Sequence, residues 1–196
     1  MKEIMKLTKA DLWSLEEYSN LRQEFRKMVI AHKKNRKLFL GDHATLYFED
    51  SITMKYQIQE MLRIEKIFES ASIEEELNAY NPLIPDGDNW KATFMIEFSD
   101  PEERAICLEQ LVGVEDTVWI GTDDHNKIYA ISNEDLDRSR EEKTAAVHFM
   151  RFQIDENTLQ DLKSGKALIA GIDHPKMPLR TIISEPVRTS LLNDIY

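Results

Sequence analysis

Two histidines and a glutamate, His148, His174 and Glu97, supply the side chains of a facial non-haem iron site, in which two imidazoles and one carboxylate leave coordination positions open. His125 is a fourth candidate for the same set. All lie on or just after segments whose pattern predicts strands, so a shared sheet would bring them together around iron or another divalent metal. A plainer reading exists for each. Glu97 alternates with Phe94, Ile96 and Phe98 and so points to solvent, and His148 is a hydrogen-bonded interior histidine. A second acidic set, Glu49, Glu60 and Glu65 with His43, has the composition of a di-iron centre but lacks its spacing. Ferritin-like sites carry Glu-x-x-His on facing helices, whereas Glu60 is followed three residues later by Arg63. These carboxylates are read instead as a salt-bridged network with Arg22, Arg26 and Arg63. Tyr18 lies about one helical turn before Arg22, so hydroxyl and guanidinium converge on one small anion or one buried carboxylate. Tyr18, Arg22, Arg26, Glu49, Glu60, Arg63 and Glu65 therefore form the candidate anion- or partner-binding set. Arg22 is expected to pair with Glu49, Glu60 or Glu65.

The elements that must position these residues follow from periodicity and punctuation. Thr8 followed by Asp11 marks a helix start, and no glycine or proline interrupts the chain until Gly41, which predicts a long helix over 9–36 with room for one break. Its stripe is Tyr18, Leu21, Phe25, Met28 and His32, with Arg22, Arg26, Lys33, Arg36 and Lys37 on the adjoining face. Lys37–Leu40 and Ala44–Glu49 read as a hairpin around Gly41-Asp42-His43. Ser51 or Thr53 is expected to cap a helix over about 53–70, in which Glu65 falls on the apolar arc and so requires a partner. A short helix follows at 72–79, then the loop 81–89, taken as the linker between a mainly helical part (1–80) and a strand-rich part (90–196).

Beyond the linker, strands are predicted at 92–98, 117–121, 127–131, 145–154, 167–172 and 179–183. Helices are expected after Asp100-Pro101, after Asp155 and after Ser184-Glu185-Pro186. Short strands joined by turns favour an α+β fold. The helical part would pack on one antiparallel or mixed sheet, a small barrel being one form of it, with short connecting helices.

Bulk composition narrows the function classes. A chain of 196 residues buries roughly 70% of the surface its unfolded form exposes, so a core is available without staples. The single cysteine, Cys107, cannot form an intramolecular disulfide or a multi-cysteine cluster, and the expected compartment is the reducing cytoplasm. Cys107 lies beside Ile106 and Leu108 and receives no role. The opening segment lacks an export signal's apolar stretch, and no later apolar run is long enough to cross a bilayer. Net charge is −11, split between +5 for residues 1–40 and −16 for the remainder. That balance, without interleaved aromatics or a reading motif, argues against nucleic-acid binding. No Gly-x-Gly-x-x-Gly, phosphate-loop or Gly-x-Ser-x-Gly signature is present.

Tyr18-Ser19-Asn20-Leu21-Arg22, Phe48-Glu49-Asp50 and Tyr56–Arg63 together resemble the bacterial and archaeal domain-of-unknown-function 3501 family over the whole chain. Its marks are Tyr-x-x-x-Arg and Phe-Glu-Asn. The first is matched, and in the second Asp50 replaces the asparagine. The resemblance implies a neighbourhood of rubrerythrin-like di-iron proteins and iron–sulfur oxidoreductases. The expected function is thus an accessory or interaction protein of redox and oxidative-stress metabolism, the alternative being a metal-dependent oxidoreductase or hydrolase built on Glu97, His148 and His174.

Overall fold

The computed structural model describes residues 6–123, 125–134 and 143–196; the first five residues of the opening segment lie outside them. The fold is α+β. A single 3-10 turn at Lys9–Asp11, held by the reciprocal Thr8/Asp11 box, precedes helix α1 (Leu15–Lys33). The break falls at Ser14, whose hydroxyl accepts from the Glu17 amide at 3.2 Å while the Glu17 carboxylate accepts from the Ser14 amide at 2.9 Å. Strands β1 (Lys37–Leu40) and β2 (Ala44–Phe48) form the expected hairpin. Gly41 adopts a φ of +66° in its turn.

Helix α2 (Ser51–Glu65) is capped by Asp50 rather than by Ser51 or Thr53. The Asp50 carboxylate accepts from the Thr53 amide at 2.9 Å. The helix stops at Glu65 because Lys66 turns left-handed, φ 55°. Helix α3 (Ser70–Tyr80) leads into the 81–89 segment and strand β3 (Asn89–Ile96). Then come α4 (Pro101–Gln110), β4 (Val118–Asp123), β5 (Asn126–Tyr129), β6 (Ile131–Ser132), β7 (Val147–Gln153), α5 (Glu156–Lys163), β8 (Ile169–His174), β9 (Met177–Ile182) and α6 (Glu185–Leu192).

The strands form two sheets, where one was expected. The first runs β1-β2-β3-β7-β6 and the second β5-β4-β8-β9, and every pairing is antiparallel. Neither closes into a barrel. β2 pairs with β3, so the N-terminal hairpin extends the sheet that continues beyond the 81–89 loop. One core cluster lies between the sheets. Leu46, Phe48, Trp90, Phe94, Met150 and Phe152 from the first meet Val118, Ile120, Ala170 and Ile172 from the second. A separate cluster of Leu7, Met54, Ile58, Leu62, Leu77 and Ile84 joins the helices. No helix among the described residues is long and apolar enough to cross a membrane.

Helix α1 is rotated relative to the expected stripe. Tyr18 and Val29 are buried and Phe25 partly so, whereas Leu21 and Met28 sit on a flank at 44% and 45% exposure. The polar pull of Glu60 on Arg22 and Tyr18, described below, turns the guanidinium inward in their place.

Gly171 illustrates how tightly the second sheet is set. It stands opposite Trp119 across β4 and β8, and a Cβ there would lie 2.5 Å from both the Leu179 carbonyl oxygen and the Trp119 ring. Gly171→Ala is expected to lower stability by about 1–3 kcal/mol, because neither the β9 backbone nor the buried indole can withdraw freely. Urea unfolding checks this, and an unchanged midpoint would show that the indole repacks at no cost.

Candidate functional site

The Tyr-x-x-x-Arg motif places Tyr18 and Arg22 on the inward face of α1, opposite Glu60 of the antiparallel neighbour α2. The Tyr18 hydroxyl donates to Glu60 Oε1 at 2.7 Å. Arg22 donates through Nε to Oε1 at 2.7 Å and through Nη2 to Oε2 at 2.9 Å, the forked geometry that favours arginine over lysine. Arg63 adds longer bonds to the same oxygens, 3.3 and 3.2 Å. Of the three carboxylates expected for Arg22, Glu60 is the partner, and the clamp closes on the chain itself. Arg22, followed by smaller contributions from Arg63 and Tyr18, holds the Glu60 carboxyl down at about 2 against the opposing effect of burial. Burial first, and then the hydrogen bond to Glu60, raises the Tyr18 phenol.

The remaining members of the seven-residue set go elsewhere. Arg26 and Glu65 are exposed; Glu65 is the last residue of α2, beyond the apolar arc it was expected to share. Glu49 is buried, and among the described residues its carboxylate is held by threonines and not by an arginine. Its two oxygens accept from the Thr53 and Thr93 hydroxyls at 2.7 and 2.8 Å, which stitches the end of β2 to α2 and β3.

A second polar centre was not anticipated. Arg36, only 3% exposed, donates to the Phe48 and Glu49 carbonyls at 3.0 and 2.9 Å and to Asp194 at 2.6 Å, and it lies 3.3 Å from Asp50. His32 Nε2 lies 2.5 Å from the same Asp50 carboxylate. The Phe48-Glu49-Asp50 motif is therefore the seat of a buried guanidinium. Asp50, where the resemblance implies an asparagine, brings a carboxylate to within 3.3 Å of it. Arg36 had been placed only on the cationic face adjoining the α1 stripe, with no partner named. The available signal was its place directly before a strand, where a side chain must choose a face.

The metal set does not assemble. Phe94 and His148 are direct partners on the inner side of the first sheet, and Glu97 is an odd number of residues beyond Phe94, so alternation sends it to the opposite face. There it is exposed and accepts from the Thr45 hydroxyl at 2.8 Å. His148, fully buried, meets Asn133 through Nδ1 at 3.1 Å and the Ala145 carbonyl and Thr144 hydroxyl through Nε2, both at 2.9 Å. His174 ends β8 in the other sheet, with Nε2 3.3 Å from the Val112 carbonyl. His125 occupies the exposed turn between β4 and β5. Among the described residues no group of three or more His, Cys, Asp or Glu side chains is arranged to hold a metal ion.

A cavity of about 570 Å³ opens on the outer face of the first sheet, between β3, β7 and the loop that follows α3. Leu83, Asp86, Asp88, Lys91, Phe149 and Arg151 are on its wall. None was a candidate in the sequence, although the loop that supplies the acidic residues was recognised.

The model of the family described as "Protein of unknown function (DUF3501)" matches residues 6–195. The chain belongs to the DUF3501 family. A crystal structure from Burkholderia pseudomallei K96243, described as a novel protein of unknown function at 1.90 Å resolution, is 46% identical to this DUF3501 chain. The likeness covers 98% of the present chain and 100% of that one, with a TM-score of 0.92. No curated protein matches.

Two consequences of the clamp and the Arg36 centre are measurable. Glu60 is depressed from 4.5 to about 2, so its contribution to stability is complete above pH 4.5 and is lost as pH falls toward 2. Glu60→Gln is expected to flatten that limb of the stability profile, and Arg22→Lys to lower the thermal midpoint, since the fork cannot be replaced by an ammonium. An unchanged acid limb and midpoint would make the clamp a solvated contact.

Asp194 has the opposite sign. Burial pushes its carboxyl up from 3.8 to about 6, with Arg36 pulling down and Asp50 adding to the rise. Its contribution is complete below pH 3.8 and is lost as pH climbs through 6. Asp194→Asn should therefore show a shallower fall in stability between pH 4 and 6 than the parent, as read by urea titrations across that range.

Proposed function

We propose that this chain is an accessory protein of redox metabolism that docks an acidic partner surface on the basic flank of α1. What supports the reading is the state of that flank. Arg22 is engaged by Glu60 and Arg36 by Asp194, while Arg26 stands exposed on the far side of Arg22 from the apolar core. Ile30, one turn further on, is 51% exposed, and Lys34 is exposed after it. A cationic strip bearing an uncovered aliphatic side chain, on a protein of net charge −11, fits a partner with a carboxylate-rich rim around an apolar spot.

The family's motif residues fit a scaffolding role. Tyr18, Arg22 and Phe48–Asp50 are engaged in internal hydrogen bonds that hold α1 and α2 in place. The neighbourhood implied by the resemblance makes rubrerythrin-like di-iron proteins and iron–sulfur oxidoreductases the partner class.

The test is a pull-down at native expression levels with the parent chain and with Arg26→Glu. Recovery of iron–sulfur or di-iron proteins by the parent, sensitive to salt and reduced at least tenfold by the charge reversal, is the expected result. Recovery of neither class, or equal recovery by the variant, overturns the proposal.

A further inference from the structure

The cavity on the outer face of the first sheet is independent of the α1 flank. Its floor is set by strand register. Lys91 and Arg151 are direct cross-strand partners on β3 and β7, and Trp90, Ala92, Met150 and Phe152 turn inward, so both cations point out beside Phe149. Neither is saturated. The Lys91 ammonium, 13% exposed, has Asp86 as its carboxylate partner at 3.3 Å, which leaves donor capacity. Arg151 directs three of its five N–H groups to Glu134 and Gln153, and two remain for a ligand among the described contacts.

The acidic side of the cavity is supplied by Asp86, Glu134 and Asp88. Asp86 answers Lys6 at 2.8 Å as well as Lys91, and Glu134 answers Arg151. Asp88 is exposed at the rim and accepts from the Asn89 side chain at 2.8 Å through one oxygen, its second oxygen being open among the described residues. Three carboxylates thus balance Lys6, Lys91 and Arg151. A polyanion such as a nucleotide would upset that balance, while a molecule carrying one charge of each sign would complete it. Leu83 and Phe149 provide apolar wall between the two poles. The volume, about 570 Å³, is that of a small-molecule site.

We infer that this cavity binds a zwitterion of the amino-acid or dipeptide class with an apolar side chain, its carboxylate on Lys91 and Arg151 and its ammonium at Asp88. The experiment uses the full chain, with calorimetry and thermal shift against the free proteinogenic amino acids, leucylphenylalanine and ATP. For the tightest zwitterion, the amide that lacks the carboxylate and the acid that lacks the amine are measured alongside. The expected result is saturable binding of a zwitterion, each truncated analogue weaker by about tenfold. Asp88→Asn should weaken the zwitterion about tenfold and leave the deaminated acid unaffected, and Lys91→Met should weaken both, with Asp86 still paired to Lys6. The thermal midpoint of unliganded Asp88→Asn, expected to match the parent, separates loss of the site from loss of the fold. Failure of every zwitterion to bind, tighter binding of ATP, or parental affinity in both variants overturns the inference.

Discussion

The position of the Arg36 guanidinium constrains more of this structure than any other polar group. It ends the 3-10 turn Lys34–Arg36 that follows α1, and its planar fork binds the carbonyls of Phe48 and Glu49 where β2 ends, the Asp50 carboxylate where α2 begins, and Asp194 late in the chain. A charge at 3% exposure survives only if its partners replace the water it has lost. Here the partners come from two stretches far apart in sequence, residues 48–50 and Asp194, so each is held in place by the other. With the carbonyls of Phe48 and Glu49 fixed, the Glu49 side chain is aimed at Thr53 and Thr93, and the Asp50 side chain is in place to cap α2. The chain reversal from sheet to helix is therefore determined by hydrogen bonds more than by a turn sequence.

The two sequence motifs divide one task between them. Phe48-Glu49-Asp50 fixes the start of α2, and Tyr18 and Arg22 fix its far end through Glu60. Between these points, Phe25 packs against Tyr56 with ring centroids 5.9 Å apart. Two polar anchors with an aromatic contact between them define the position and the rotation of α1, which a purely apolar seam would leave freer to slide. Rotation matters for the surface: it brings Arg22 inward, leaves Leu21 and Met28 on one flank, and sets Arg26 and Ile30 on the other.

Local chemistry was the legible part. The hairpin at Gly41, the Asp100 helix start and the α+β class depend on residues adjacent in sequence, and the pairing of Arg22 with one of three carboxylates needed only two amphipathic helices side by side, whereas the start of α1 at Ser14 was not read. The division into two sheets was not legible, because period-two alternation says which residues share a face and nothing about which strands are neighbours. The metal set failed for that reason. Glu97, His148 and His174 all sit on or beside strands, yet register puts Glu97 and His148 on opposite faces and His174 in the other sheet. Glu65 was misplaced by helix length, since the left-handed Lys66 ends α2 before another turn forms. The buried state of Arg36 depends on Asp194, far along the chain, and no local pattern encodes that meeting.

The outer face of the first sheet explains why so many ionised groups persist inside this fold. Its inner face is apolar and packs against the second sheet, but the outward positions mix Thr45, Glu49, Lys91, Thr93 and Arg151 with Tyr47, Met95 and Phe149. Helices laid on such a face cannot be held by apolar burial alone, and the contact that does form, Thr53 and Thr93 on Glu49, is polar. Apolar packing for the helices is supplied separately, by Leu7, Met54, Ile58, Leu62, Leu77 and Ile84 among themselves. A layer boundary built this way needs each charge matched to a partner of fixed geometry, which makes it specific and costly to repack. It also leaves space where the helical layer ends. That edge, beyond α3 and above Lys91 and Arg151, is where the cavity opens, so the polar sheet face that complicates folding also supplies the cavity's cations, and the 81–89 loop faces them with Asp86 and Asp88.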